Sequence, residues 1–368
     1  MTFGLILLLS LTVAFPVLIT GLAAKPVAVI LDPMTIPKYV NQITSPPPVY
    51  VSDPTTGTYT VDMTAFEQQI LPTSNAAGLP TGLGPTTVWG YGGTVKDAIT
   101  GTPLGYGRSA PGATFEATRG NSIQVIWQNK ITTQHMFAVD PTLHWANPNG
   151  MSTMPPTPWP TFPPGFPDAQ SPVPLVPHLH GGEVQSYYDG HPEAWFTSTL
   201  SSTSIWHGPA FDETKVGTTM GQATFNYPNA QPPTTLWYHD HALGITRINV
   251  MSGLAGFYLL RDPADLVEQA LNLARQGLPS PAKYEMPLVI QDRTFKATDP
   301  VTGKNELWFP DVGLNPAIHP YWMPEFFGNT IVVNGLAWPN MNVDRGQYRL
   351  RVLDGSNARF YTLSFSNK

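Results

Sequence analysis

Short stretches in which apolar and polar residues alternate, separated by glycine- and proline-containing turns, recur along the chain from about Thr86 onward. The segment 120–129 begins with the turn pair Gly120-Asn121 and continues as Ile123-Gln124-Val125-Ile126-Trp127-Gln128-Asn129. Side chains on a strand point alternately to opposite faces, so this pattern predicts a half-buried β-strand. Segments 176–180, 223–227, 235–239 and 253–260 read the same way, followed by 287–292, 330–335, 348–354 and 359–365. Short strands at regular spacing, with turn residues between them, predict a sandwich or a barrel. One stretch has helical spacing: over 265–276, Leu266, Val267, Ala270, Leu271 and Ala274 recur on one face, and Gly277 and Pro279 end it.

The remaining segments divide the chain. Residues 25–85 are poor in charge and rich in proline and threonine, which predicts an extended lead-in wrapped over a domain. Residues 147–177 are dense in proline and predict a semi-rigid surface loop. Residues 1–24 carry no charge and are largely apolar, with small residues Gly21, Ala23 and Ala24 ahead of Lys25. This resembles an export signal cleaved near Ala23 or Ala24, which predicts a secreted, periplasmic or cell-surface protein. An apolar run of about 20 residues also fits an uncleaved membrane anchor. The expected plan is signal or anchor over 1–24, lead-in over 25–85, a first β domain over 86–264, a helical linker over 265–285 and a second β domain over 286–368. A Greek-key sandwich takes about 100 residues and seven strands, so the second domain is expected to be cut short.

Composition narrows the chemistry. The chain of 368 residues holds 40 prolines and 32 glycines, which disfavours long helices, and 42% hydrophobic residues, enough for a core. Net charge is −6 and no basic run occurs, so no DNA- or RNA-binding patch is expected, and nucleic acid is excluded as a partner. Cysteine is absent, which rules out disulfides, thiolate metal sites and cysteine nucleophiles within these residues.

Two His-x-His pairs, His178-Leu179-His180 and His239-Asp240-His241, stand in strand-like segments. The period of two projects both imidazoles of each pair to one face, with Cα atoms roughly 6–7 Å apart. Such a pair serves one metal ion or bridges two, and imidazole suits copper, zinc, iron and nickel. His135, His144, His191, His207 and His319 are single histidines without a paired partner in sequence, and read as loop or partly buried residues. Second-sphere work is the main exception, at His191. Met151 and Met154, in the proline-dense loop, are a weak thioether pair for copper(I). Asp240, between two histidines, points to the opposite face and is expected to orient a neighbour or bond the backbone.

The context of the pairs carries a resemblance. His178-Leu179-His180-Gly181-Gly182, followed by Asp189-Gly190-His191-Pro192-Glu193-Ala194-Trp195, resembles the first copper motif of the multicopper oxidases. Leu236-Trp237-Tyr238-His239-Asp240-His241-Ala242-Leu243-Gly244 resembles the second, most closely that of the bacterial spore-coat laccase and bilirubin oxidase branch. Ile290-Gln291-Asp292-Arg293-Thr294-Phe295 and Val332-Val333-Asn334-Gly335 extend the likeness toward Lys368. The resemblance implies an all-β fold of cupredoxin-like Greek-key sandwich domains. It implies His178 as a type 2 copper ligand, and His180, His239 and His241 as ligands of a type 3 copper pair. Asp189 stands where the family places an acidic residue that assists proton delivery; the alternative is a turn residue before Gly190. The implied partners are O2 and a small-molecule electron donor, and the implied chemistry is oxidation of phenolic, pigment or metal-ion donors with O2 reduced to water.

The family's type 1 copper needs a cysteine, and its other four trinuclear ligands come from motifs that do not occur in these residues. The expectation is a copper half-site with no turnover by this chain alone. A non-enzymatic exported copper-binding or scaffold protein is the alternative. An unrelated cupin-like or metallo-hydrolase site is disfavoured: Glu183 follows His180 too early for a cupin, and no His-x-His-x-Asp-His signature occurs.

Overall fold

The computed structural model describes residues 28–140, 143–148, 171–199, 206–266, 269, 284–310 and 325–365. Ten strands form one curled sheet: β1 (Val49–Tyr50), β2 (Thr58–Gln68), β3 (Thr86–Lys96), β4 (Pro103–Ser109), β5 (Gly112–Thr118), β6 (Ile123–Asn129), β7 (Pro177–His180), β8 (Gln222–Tyr227), β9 (Thr234–Asp240) and β10 (Ala255–Arg261). Their order is β7-β9-β10-β5-β1-β3-β2-β6-β8, with β4 attached to β3. A seven-residue helix, α1 (Thr246–Ser252), joins β9 to β10. A second sheet, β13-β12-β11-β14, contains β11 (Glu285–Arg293), β12 (Thr330–Val333), β13 (Leu336–Ala337) and β14 (Arg349–Asp354).

The alternation in sequence becomes burial. On β6, Val125, Trp127 and Asn129 are buried while their neighbours are partly or wholly exposed, and β8 repeats this with Ala223, Phe225 and Tyr227. The ten-stranded sheet folds back on itself around these side chains. Tyr91 of β3 and Trp127 of β6 lie 4.9 and 5.6 Å, ring to ring, from Tyr238 of β9, and Tyr227 of β8 meets Tyr258 of β10 at 5.9 Å. The Tyr238 hydroxyl donates to the Ala113 carbonyl at 2.6 Å, so this large ring brings its own polar group to a partner. Parallel pairings β5–β10 and β2–β6 stand among the antiparallel ones, which makes the topology a mixed sandwich rather than a meander. The fold is all-β and cupredoxin-like.

Strand β10 is buried on both faces, and its continuous apolar run has that cause. Tyr258 and Leu260 join the main core, while Phe257 and Leu259 pack outward against Val289 of β11 and Leu353 of β14. An ion cluster closes the same seam: Arg261 of β10 binds Glu116 at 2.6 Å and Glu285 at 2.7 Å, and Arg351 binds Glu285 and donates to Thr235 at 2.7 Å.

The structure corrects two expectations. Residues 25–85 are not merely a lead-in. Residues 58–68 are β2, an interior strand paired along its length with β3 and β6, and Val61 and Met63 are fully buried. Its alternation is masked by threonines, which suit either face of a strand. The part that does wrap, near residues 30–43, lies on the second sheet: Leu31 donates to Phe295 at 2.8 Å and Tyr39 to Trp338 at 2.7 Å. Segment 359–365 joins no ladder, and Phe360 and Phe365 are exposed. Alternation makes a strand only where a neighbouring edge supplies partners. The expected signal or anchor over 1–24, most of the loop over 147–177, most of the helix over 265–276, and His319, Met151 and Met154 lie outside the described residues.

Candidate metal centre

Strands β7 and β9 pair antiparallel, and the register sets His178 directly opposite His239 and His180 opposite Trp237. Leu179 and Tyr238, one residue away on each strand, face the core. The two imidazole pairs therefore share the outer face of the sheet, as period-two geometry requires. The rings of His178 and His241 stack at 4.6 Å, His178 lies 5.6 Å from His180 and 5.5 Å from His239, and His239 lies 5.7 Å from His241. Ligand nitrogens of His178, His180 and His239 fall within 4.8 Å of one another.

The backbone fixes which nitrogen is available. Nδ1 of His239 faces its neighbour's carbonyl, that of Asp240, at 2.6 Å. Nδ1 of His241 faces the Gly190 carbonyl at 3.0 Å, and Nδ1 of His178 the Asp189 carbonyl. A carbonyl only accepts, so each Nδ1 carries the proton and each Nε2 keeps its lone pair. His180 differs: its Nδ1 lies 3.1 Å from Nε2 of His239, and since that Nε2 is an acceptor, His180 is the donor. A metal ion bound to that His239 lone pair must displace this hydrogen bond, one form of the competition between protons and metal for imidazole. Lone pairs converging from neutral imidazoles, with no carboxylate oxygen in the set, fit a metal that favours nitrogen. Burial reinforces neutrality: it lowers His178 below the usual imidazole range and pulls His239 down to about 3.

Two of the anchoring carbonyls come from one turn. Residues Ser186–Tyr188 form a single 3-10 turn capped by Asp189, and Gly190 follows with φ +77°. A Cβ at Gly190 would run into the Pro177 carbonyl and is disfavoured at that φ in any case, so glycine is required there. Asp189 thus holds His178 through its main chain. Its carboxylate lies 3.4 Å from the same Nδ1 and is 45% exposed, between the ligand set and solvent.

His180, His239 and His241 face a cavity of about 420 Å³ between the two sheets, lined also by Arg247, Arg293, Ser356 and Asn357. Arg293 is buried, donates to the carbonyls of Asp292 and Val250, and is lowered by burial to about 10. Trp237 forms one wall, 4.2 Å ring to ring from His239 and 5.1 Å from His180.

The structure brings His178, His180, His239 and His241 together with Asp189 beside them, and leaves the single histidines among the described residues elsewhere. His191 accepts from the Glu193 amide, His144 faces the Glu193 carboxylate at 3.6 Å, and His207 stacks on Phe211. Asp240 turns inward, fully buried, and its carboxylate accepts from the amides of Val176 and Ala242 at 2.9 and 3.1 Å, as its inward phase demanded. Sequence reasoning missed three contributors: Trp237, Arg293 and the polar pair His135–Asn249 behind Asp240. Trp237 was legible from its phase, two residues before His239 on the same face. The others depend on tertiary contacts.

No family model matches the chain. Curated proteins do. It is 38% identical over 277 residues to the multicopper oxidase LPR1 homolog 1 of Oryza sativa, covering 74% of this chain and 40% of that protein. It is 36% identical over 275 residues to multicopper oxidase LPR1 of Arabidopsis thaliana, and 33% identical over 288 residues to a laccase of Bacillus subtilis, of which it covers 44%. Among solved structures, the McoA multicopper oxidase of Aquifex aeolicus aligns over 87% of this chain and 47% of its own, at 19% identity and a TM-score of 0.49. The chain spans about two-fifths of the length of the curated relatives it matches. By these sequence relatives it belongs to the multicopper oxidase family, a family of oxidoreductases.

Proposed function

We propose that the four imidazoles are a copper half-site: His178 as a type 2 ligand, and His180, His239 and His241 as ligands of a type 3 pair. One observation carries this reading: two His-x-His pairs set in direct register on neighbouring strands, with three Nδ1 atoms held by carbonyls so that Nε2 is the nitrogen each offers, that of His239 engaged only by the displaceable Nδ1–H of His180. Copper bound there supplies the redox chemistry with which the family's full site reduces O2 to water, using electrons from a phenolic, pigment or metal-ion donor. In this reading Asp189 passes protons toward the site, a role supported by its exposed carboxylate beside His178. Residues 1–24 are read as directing export or anchoring to a membrane. These 368 residues contain no cysteine, so they build no thiolate copper centre, and the chain alone does not turn over.

Copper titration of the purified chain, with oxygen uptake followed in the presence of a phenolic donor, tests this. Copper binding that disappears with His178, His180, His239 and His241, and no oxygen uptake, is the expected result. Oxygen uptake dependent on those histidines would refute the claim that turnover needs a cysteine centre. Copper binding unaffected by their removal would refute the site.

A further inference from the structure

Directly behind the imidazoles, on the core side of β9, runs a second polar chain. His135 is buried against Trp89, 4.7 Å ring to ring. The Phe137 amide donates to its Nδ1 at 3.0 Å, so the proton is on Nε2, which donates to Oδ1 of Asn249 at 2.7 Å. The amide group of Asn249 must then point the other way, and Nδ2 donates to Oδ1 of Asp240 at 2.6 Å. A flipped amide would set donor against donor at one end and acceptor against acceptor at the other. Asn249 is on α1 and wholly buried.

Asp240 connects this chain to the site. It stands between His239 and His241. Its two oxygens take the amide of Val176, two residues before His178, and that of Ala242, the residue after His241. One carboxylate therefore ties the start of β7 to the end of β9, and so ties one His-x-His pair to the other. Its rotation about Cβ–Cγ is set by these two amides and by Asn249. Without Asn249, a buried carboxylate loses one of three donors, and the amide bonds that space the two pairs weaken.

We infer that Asn249, held in orientation by His135, is a positioning residue that sets the spacing of the two histidine pairs; the consequence for metal rests on the copper reading above. The test uses the whole chain and Asn249→Ala, with Ile248→Val as comparison. Ile248 is the preceding residue on α1, equally buried, with an apolar side chain. Hydrogen exchange of the metal-free proteins reads the clamp, and Cu(II) affinity with the Cu(II) EPR spectrum reads its consequence. Asn249→Ala is expected to speed exchange at the Val176 and Ala242 amides. It should weaken Cu(II) binding about tenfold or more, the usual scale for an outer-sphere partner, and change the Cu(II) hyperfine splitting. Ile248→Val should do none of these, although both lower thermal stability. Wild-type Cu(II) affinity and spectrum in Asn249→Ala, or equal changes in both variants, would overturn the inference. If the wild-type chain binds no copper, the copper reading falls, and amide exchange alone decides the clamp: unchanged exchange at both amides overturns it. Should Asn249→Ala not fold, His135→Phe reads the same link from its far end. It removes the donor to Asn249 and should move the same readouts in the same direction by less.

Discussion

The two sides of strand β9 both hold buried histidine, yet they use it in opposite ways. On the inner side, His135 has both nitrogens engaged, one accepting from the Phe137 amide and one donating to Asn249, and burial pulls it down to about 4. On the outer side, His239 is pulled down to about 3 by the same cause, but its Nε2 faces only another imidazole. Low basicity is thus common to both and distinguishes nothing. What separates a ligand from a structural histidine is whether its accepting nitrogen is held by a fixed backbone amide or only by a neighbouring imidazole that a metal can displace, and whether neighbouring lone pairs point to the same place.

The largest expected effect comes from removing a ligand lone pair. His239→Ala should reduce copper affinity about 100-fold or more, beyond the scale of outer-sphere changes, while the metal-free chain stays folded. Calorimetric titration with copper and a thermal melt of the metal-free protein check the two halves. An unchanged affinity would place the metal elsewhere. Next is the turn that orients the outer set. Gly190→Ala puts a side chain at φ +77° and against the Pro177 carbonyl. It should cost about 2 kcal/mol or more of stability, measured by urea unfolding, and weaken copper binding through His178 and His241.

The inner side is expected to announce itself through pH. His135 has a folded value near 4 against an ordinary 6.5, so the folded chain binds fewer protons and stability falls as pH drops from 6.5 toward 4. For one such group the slope is about 1.4 kcal/mol per pH unit. Asp240, facing His135 through Asn249, has the opposite sign: burial raises it to about 7, so its protonation favours the folded state as pH falls through that value. His135→Gln removes only the first contribution, and the metal-free variant should lose less stability than wild type between pH 6.5 and 4.5. His178 and His239 titrate in both proteins, so they cancel in the difference. Equal slopes would mean that His135 titrates normally.

How far the two sides could be read in advance follows from their causes. The outer set depends on strand phase alone: His-x-His in an alternating segment declares its face, and the register of β7 on β9 then had few alternatives. Asp240 was legible by the same phase. Nothing local marks His135 or Asn249, which meet across 114 positions of chain. Helix α1 was missed because seven residues that include Ile248 and Val250 offer too few turns and too much β-branching to announce a helix. It forms because Ile248 and Met251 reach the core and Gly253 ends it at φ +130°. Strand β2 was missed for the converse reason, its threonines hiding a pattern that pairing with β3 and β6 makes plain.

Asp189 gives the smallest expected effect and the finest distinction. Its main-chain carbonyl holds His178, whereas its carboxylate, 45% exposed, stands 3.4 Å from the same nitrogen. An exposed carboxylate at that distance is screened by water and adds little to holding the ring. Asp189→Asn keeps the carbonyl, the turn and the side-chain shape, and removes only the charge and the capacity to carry a proton. Copper affinity should therefore change by less than about twofold, the smallest shift of the series, since the outer-sphere bond that orients the ligand is intact. A tenfold loss would show that the carboxylate, rather than the backbone, orients His178, and would move Asp189 from proton carrier to ligand support. If affinity is preserved, any part for Asp189 in proton delivery must appear in the pH dependence of oxygen reduction by a complete oxidase, where supply of protons rather than retention of copper is what its carboxylate can control.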